Sequence, residues 1–195
     1  NQLNTWIDIS DGLEISQFYK LGLSTLSEGT LVVGAQDNGT ERLSNGIWDA
    51  IRGSDGMECI IDHYDDDIIY STSQYGGLRI TYNGGDDWDN IKPVNYEGSW
   101  VTPYKMHPQD NNIIVIGYKA VYRTKNAAAT WDSISPLYGD LKTIALAPSN
   151  TDYIYAATYS GLWLTKDEGA NWDYIKTGLP SGTISDVTVS TNNED

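Results

Sequence analysis

The sequence predicts an all-β protein built from repeated four-stranded units. Three observations carry that expectation. Tryptophan recurs as Trp6, Trp48, Trp88, Trp131 and Trp172, a period of about 40 residues that marks stacked supersecondary units. Four of these open the pattern Trp-Asp-x-Ile, at residues 48–51, 88–91, 131–134 and 172–175. Short apolar and aromatic runs alternate with Gly, Asn and Asp, which is the chemistry of strands joined by tight turns. The composition agrees: Tyr (14) and Trp (7) far outnumber Phe (1), and Gly reaches 19.

In chain order, residues 5–9 read as the fourth strand of a preceding unit. The first full unit is the least regular, with strands at 18–24, 30–35, 40–44 and 48–51. The second has strands at 57–62, 67–73, 78–82 and 88–91. The third has strands at 103–107, 112–118, 120–125 and 131–134. The last is the clearest: LKTIALAP, a turn, YIYAATY, the turn Ser160-Gly161, a strand at 162–166, and Trp172 to Ile175. Residues 184–190 (ISDVTVS) read as the first strand of a following unit.

Four-stranded units of this length are the blades of a β-propeller. Each blade covers its neighbour on both faces, so strands such as LVVGA and IIVIG are apolar throughout rather than alternating. The expected architecture is a single propeller segment of about four blades, approximately 17–51, 57–91, 101–134 and 141–175, with partial strands at 5–9 and 184–190. The partial ends cannot close a ring, so the chain is expected to be an arc of a larger one. An open arc exposes two apolar faces, and the expected cover is another part of the same propeller or a partner protein.

Charge and composition narrow the partners. The net charge is −15 and the pI about 4.2, which disfavours nucleic acid and anionic membrane. No run of 18 apolar residues suggests membrane insertion. Cys59 is the sole cysteine and is expected to be a buried strand thiol. No Cys/His cluster suggests a metal, and no cofactor is expected. His63 and His107 both read as solvated turn residues.

Residues Thr165-Lys-Asp167-Glu-Gly169-Ala-Asn171-Trp172 resemble an Asp-box, the S/T-x-D-x-G-x-T-W hairpin of bacterial-neuraminidase-repeat propellers. A second copy, with Thr81, Asn83, Gly85 and Trp88, has Asn for the Asp. A third, with Thr124, Asn126 and Trp131, has Asn for the Asp and lacks the Gly. Before Trp48 a shorter turn, Ser44-Asn45-Gly46, stands in its place. A short carboxylate or amide there would accept turn N–H groups. The Gly would supply positive φ, and the Trp would fill the gap between blades. A structural role is expected; calcium at Asp167 lacks clustered oxygen ligands.

Asp-box propellers include sialidases, xyloglucan-active glycoside hydrolases and sortilin (Vps10-type) receptors. The stretch from Gly34 to Thr40, Trp48 followed by Gly53-Ser-Asp55-Gly56, and Gly98-Ser99-Trp100-Val-Thr-Pro103 resemble sortilin-like secreted propellers of Bacteroidetes-type bacteria. That resemblance implies a secreted or cell-surface protein, with type IX secretion machinery among its partners.

In a propeller the 2–3 turns share one face with the connections from strand 4 to the next strand 1. This puts Gln36, Asp37, Gln74, Tyr75, Asp55, Trp100 and Tyr159 together as ligand-binding candidates. Aromatic faces with polar tips suit a sugar ring or a peptide. The alternative is that these are ordinary turn residues. A glycosidase needs two carboxylates across one bond, and Asp37 and Asp55 are the pair to nominate. A sialidase needs converging arginines, whereas Arg42, Arg79 and Arg123 fall in third strands of different blades. The functional expectation is therefore a non-catalytic binding or scaffolding module. The alternative is a fragment of a sialidase- or xyloglucanase-like glycoside hydrolase.

Overall fold

The computed structural model describes residues 15–191. They form four antiparallel sheets of four strands, each wound in chain order. The first holds β1 (Phe18–Leu23), β2 (Leu31–Ala35), β3 (Gly39–Ser44) and β4 (Ile47–Arg52). The second holds β5 (Gly56–Ile61), β6 (Ile69–Ser73), β7 (Gly77–Thr81) and β8 (Asp89–Asn90). The third holds β9 (Tyr104–His107), β10 (Asp110–Gly117), β11 (Val121–Thr124) and β12 (Asp132–Ser133). The fourth holds β13 (Thr143–Leu146), β14 (Ile154–Ala157), β15 (Leu162–Thr165) and β16 (Asp173–Tyr174). The strand expected at 5–9 lies outside the described residues. Residues 184–190 join no sheet; the amide of Ile184 donates to the Tyr159 carbonyl at 3.1 Å.

Successive sheets pack face to face. β1 and β2 lie on β5, β5 touches β9, and β13 lies on β9 and β10. The cores sit at these seams. Val32, Cys59, Ile61 and Ile69 fill the first, Tyr70, Tyr104, Ile114 and Tyr118 the second, and Val115, Val121, Leu141 and Ile144 the third. Covered on both faces, β10 buries every residue from Ile113 to Gly117, as its unbroken apolar run requires. At Gly34 a side chain is impossible: a Cβ would lie 1.8 Å from the Met57 carbonyl oxygen, so β2 reaches β5 backbone to backbone. The Cys59 thiol is buried, and burial pushes its pKa up to about 12, which keeps it protonated and inert.

Three turns share one hydrogen-bond net. The hydroxyls of Thr81, Thr124 and Thr165 each donate to the Oδ1 of Asn83, Asn126 and Asp167 at 2.8 Å. Each hydroxyl in turn accepts the amide of Gly85, Ala128 or Gly169, at 3.0, 3.0 and 2.8 Å. Each Oδ1 accepts the amide of Asp87, Thr130 or Asn171, at 3.0, 2.9 and 2.8 Å. Only a carbonyl-type oxygen is used at that position, so Asn substitutes for Asp without breaking the net. The spare atoms pair as well: Asn83 Nδ2 donates to Asp87, Asn126 Nδ2 to Thr130, and Asn171 Nδ2 to Asp167. The bonds from Asn171, then Thr165, hold the Asp167 carboxyl below the ordinary carboxylate range.

The tryptophans after these turns enter the seams. Trp88 packs on the first seam, Trp131 on the second and Trp172 on the third. The turn and its Trp consume chain that would otherwise pair, which leaves β8, β12 and β16 two residues each. Trp48 differs. It follows the two-residue hairpin Asn45-Gly46, both at positive φ, and it is 48% exposed and stacked on Phe18. With Leu21 and Leu23, also exposed and on the same side of the sheet by register, it forms an apolar face of the first sheet.

One expectation needs correction. His107 is not a solvated turn residue: it ends β9 and is buried. Its Nδ1 accepts the Gln109 amide and its Nε2 lies 3.2 Å from the Ala147 carbonyl oxygen, tying the third sheet to the fourth. The turn-like Pro108-Gln109 that follows hid its burial.

Candidate functional site

The first strands of the sheets each bring one polar or charged side chain to a common cavity of about 360 Å³. Lys20 comes from β1, Glu58 from β5, Lys105 from β9 and Thr143 from β13; Asp186 comes from the 184–190 segment. Trp100, Lys142, Tyr159 and Ser185 add to the polar and aromatic lining. The charges are interleaved. Lys105 Nζ pairs with the buried Glu58 carboxylate. Asp186 accepts the Thr143 hydroxyl at 2.7 Å and the Val187 amide at 2.9 Å. Burial raises the Asp186 pKa, but those bonds and the charges of Lys20 and Lys105 outweigh it and hold the carboxyl below its ordinary range. Asp186 is therefore an acceptor, not a proton donor, at neutral pH.

Trp100 is set by an unbroken chain of contacts. Gln74–Gly76 forms a 3-10 turn with Tyr75 at φ 59°. The Tyr75 amide donates to the Trp100 carbonyl at 3.2 Å, and the Gly98 amide donates to the Tyr75 carbonyl at 3.1 Å. The Tyr75 and Trp100 rings meet edge to face, centroids 5.1 Å apart. The Trp100 indole donates to Tyr19 OH at 3.1 Å, and Tyr19 OH donates to Gln36 Oε1 at 3.2 Å. Indole and ring are thus fixed while 40% of each residue stays in water. Tyr159 is more open, and the Lys142 ammonium sits 4.3 Å above its ring centroid.

Of the predicted residues, Trp100 and Tyr159 line the cavity, while Gln36 and Tyr75 support Trp100 from behind. Gln74 lies beside them, and its Oε1 is buried with no hydrogen-bond partner. Asp37 and Asp55 meet each other, not the cavity: Asp55 Oδ1 accepts the Asp37 amide at 2.8 Å, where Asp37 takes φ 62°. That bond stabilises a left-handed turn residue.

Sequence reasoning missed Lys20, Glu58, Lys105, Lys142 and Asp186. The signal was present. Each of FYKLGL, GMECII, YKMH and ISDVTVS carries one lone charge other than a terminal His, and aligning the first strands would have gathered those charges on one axis.

No family model matches the chain, and no curated protein matches it in sequence. Solved structures do. The crystal structure of an ancestral GH74 enzyme superposes with a TM-score of 0.65 at 15% identity, covering 82% of this chain and 24% of that one. The GH74 xyloglucanase from Xanthomonas campestris gives 0.65 at 13% identity, covering 85% and 31%. The structure of YCF48 bound to a D1 peptide gives 0.58 at 15% identity, covering 82% and 54%. The fold is a β-propeller. The chain spans between about a quarter and about half of the length of these propellers.

Proposed function

We propose that the protein is a non-catalytic binding module whose axial cavity receives a peptide or glycan. The observation that carries this reading is the pairing of two part-exposed aromatic rings, Trp100 and Tyr159, with the Lys20, Lys105 and Lys142 ammonium groups around one cavity. Rings offer flat apolar area at little entropic cost, and the lysines offer point charges to carboxylates or hydroxyls. The carboxylates present serve other ends: Glu58 holds Lys105, Asp186 holds Thr143, and Asp55 caps a turn. A peptide is the favoured ligand, because YCF48, of similar fold, is seen with one.

The shared net of the three threonine turns supports reading them as Asp-box turns, and with them the resemblance to sortilin-like secreted propellers. On that reading the protein is bacterial and secreted or at the cell surface, as a cargo of type IX secretion. The exposed face of Leu21, Leu23 and Trp48 would be covered by more of the same propeller or by a partner protein. Immunoblotting of medium, envelope and cytosol from the native host tests the placement; signal confined to the cytosol would remove it.

The test of function is a peptide-display and glycan-array screen with the protein and with Trp100→Ala/Tyr159→Ala. A retained ligand class that binds the variant at least about tenfold more weakly is expected. Equal binding by both proteins would overturn the axial site. A second reading, part of a glycoside hydrolase, is favoured by the likeness to GH74 enzymes. It predicts release of reducing sugar from xyloglucan, abolished by Asp37→Asn or Asp55→Asn.

A further inference from the structure

A second cavity, of about 450 Å³, opens between the first two sheets, away from the axial residues. Arg52, Arg79 and Lys92 line it, with Ser54, Ser73 and Asn90, and among the described residues no carboxylate does. The sequence reading had scattered the arginines over separate blade walls. That holds for Arg42, which pairs with Asp67, and for Arg123, which pairs with Glu168. It fails for Arg79, because Arg52 at the end of β4 reaches across the seam to the same place.

Arg52 has a structural task. Its Nη1 donates to the Ser71 carbonyl at 2.5 Å and its Nη2 to the Gly77 carbonyl at 2.7 Å, over the Trp88 ring. Burial, then the nearby Arg79 cation, lower its pKa to about 10, so two like charges are held together. Neither Arg79 nor Lys92 has a comparable task. Arg79 is exposed on β7. Lys92 rests its ammonium 5.4 Å from the Tyr118 ring centroid. Among the described residues no ion pair includes any of the three. The chain has 27 acidic and 12 basic side chains, yet among the described residues no carboxylate lines this cavity. An anion bound beside them would relieve the repulsion between the Arg52 and Arg79 cations.

We infer that this cavity is an anion site that takes a tetrahedral oxyanion, phosphate or sulfate, free or as an ester group. Tetrahedral geometry follows from the donors. A guanidinium has five N–H groups and Arg52 uses one Nη donor on each carbonyl, so about three remain. Arg79, Lys92, Ser54 and Ser73 line the same cavity and bring further donors. That is more than the two coplanar oxygens of a carboxylate can accept, and it suits an anion with oxygens on four sides.

The experiment is a titration of the ¹⁵N-labelled protein at fixed ionic strength with sodium phosphate, sodium sulfate or sodium acetate, followed by amide shifts. Saturable shifts at residues 52–54, 73–79 and 90–92 are expected with phosphate or sulfate. In Arg79→Gln/Lys92→Gln the apparent Kd should rise roughly tenfold or more, with the rest of the spectrum unchanged. Tighter phosphate binding assigns a phosphoryl ligand, and tighter sulfate binding a sulfate ester. Acetate binding as well as either would overturn the tetrahedral assignment. Linear shifts without saturation, or equal saturation in the double variant, would overturn the site.

Discussion

The indole N–H of Trp172 donates to the carbonyl oxygen of Ile134 at 2.6 Å, across the seam between the third and fourth sheets. Trp88 makes the same bond to Ile51 at 2.9 Å across the first seam. Trp131 does not: its indole nitrogen is buried with no acceptor. The one position at which the two bonding turns agree and the third departs is Gly85 and Gly169 against Ala128. A Cβ at Gly169 would lie 2.6 Å from Ile134 Cβ, and one at Gly85 would lie 2.5 Å from Ile51 Cβ. Ala128 puts a methyl into that space and keeps the neighbouring blade from closing onto the indole. Replacing Trp172 with Phe is expected to cost about 1 kcal/mol more than replacing Trp131 with Phe, the net value of one hydrogen bond. Urea unfolding of the two variants measures the difference; equal losses would remove the bond from the account.

Gly169 sits at φ 98°, and its missing Cβ would also strike the Ile134 carbonyl oxygen at 2.6 Å. Gly169→Ala is expected to destabilise by roughly 2–3 kcal/mol, through backbone strain and a displaced seam. Ala127, at φ 51° and half-buried, offers the opposite change. Ala127→Gly relieves a left-handed alanine worth about 1–2 kcal/mol and loses some entropy, for a net gain of about 0.5 kcal/mol. Thermal unfolding of both variants checks the two signs together.

Glu168 accepts Lys125 Nζ at 2.6 Å and Arg123 Nη2 at 3.2 Å. The Lys125 bond leads in lowering its pKa; burial opposes, and the Arg123 charge adds to the lowering. A carboxyl whose folded pKa lies below its unfolded value binds its proton first in the unfolded chain. Its stabilisation is therefore complete above the ordinary glutamate value of about 4.3 and fades as the pH falls through the folded value. Glu168→Gln should lower stability at pH 7 by less than about 1 kcal/mol, since the pair is part-exposed. The gap to the parent should close near pH 3. A gap that widened on acidification would contradict the assignment.

Glu58 is 5% exposed and has Lys105 as its ion-pair partner. Lys105→Met leaves a buried carboxylate without a counter-ion and is expected to cost about 3 kcal/mol. Lys105→Met/Glu58→Gln should recover most of that loss, because the orphaned charge is gone. Chemical denaturation of the single and double variants decides it: no recovery would mean that the lysine acts through its packing alone.

The repeat was legible because turns and tryptophans are local. Thr-x-Asp/Asn with a Trp seven residues after the Thr writes its own hydrogen-bond net within eight residues, and that spacing is readable in one dimension. Asn45-Gly46 announced its hairpin in the same way. The axial cavity was less legible, because its members sit one per blade and meet only after the sheets are stacked. Trp100 and Tyr159 were found since they stand in connections on the expected face. Lys20, Glu58 and Lys105 were passed over because they lie inside apolar strands. Arg52 escapes a linear reading for a related reason: it belongs to one sheet in sequence and donates to the next in space.

Lys20, Glu58 and Lys105 are each carried by a different strand, anchored by its own ladder and seam, and Asp186 by a separate segment held to Thr143 and Tyr159. A side chain exchanged at the position of Lys20, or of Asp186, alters what the cavity attracts while the other contributors keep their places. Ligand preference can therefore be retuned one rung at a time, independently of the architecture that bears it, so a chain with this scaffold and a different set of axial charges would be expected to serve a different ligand.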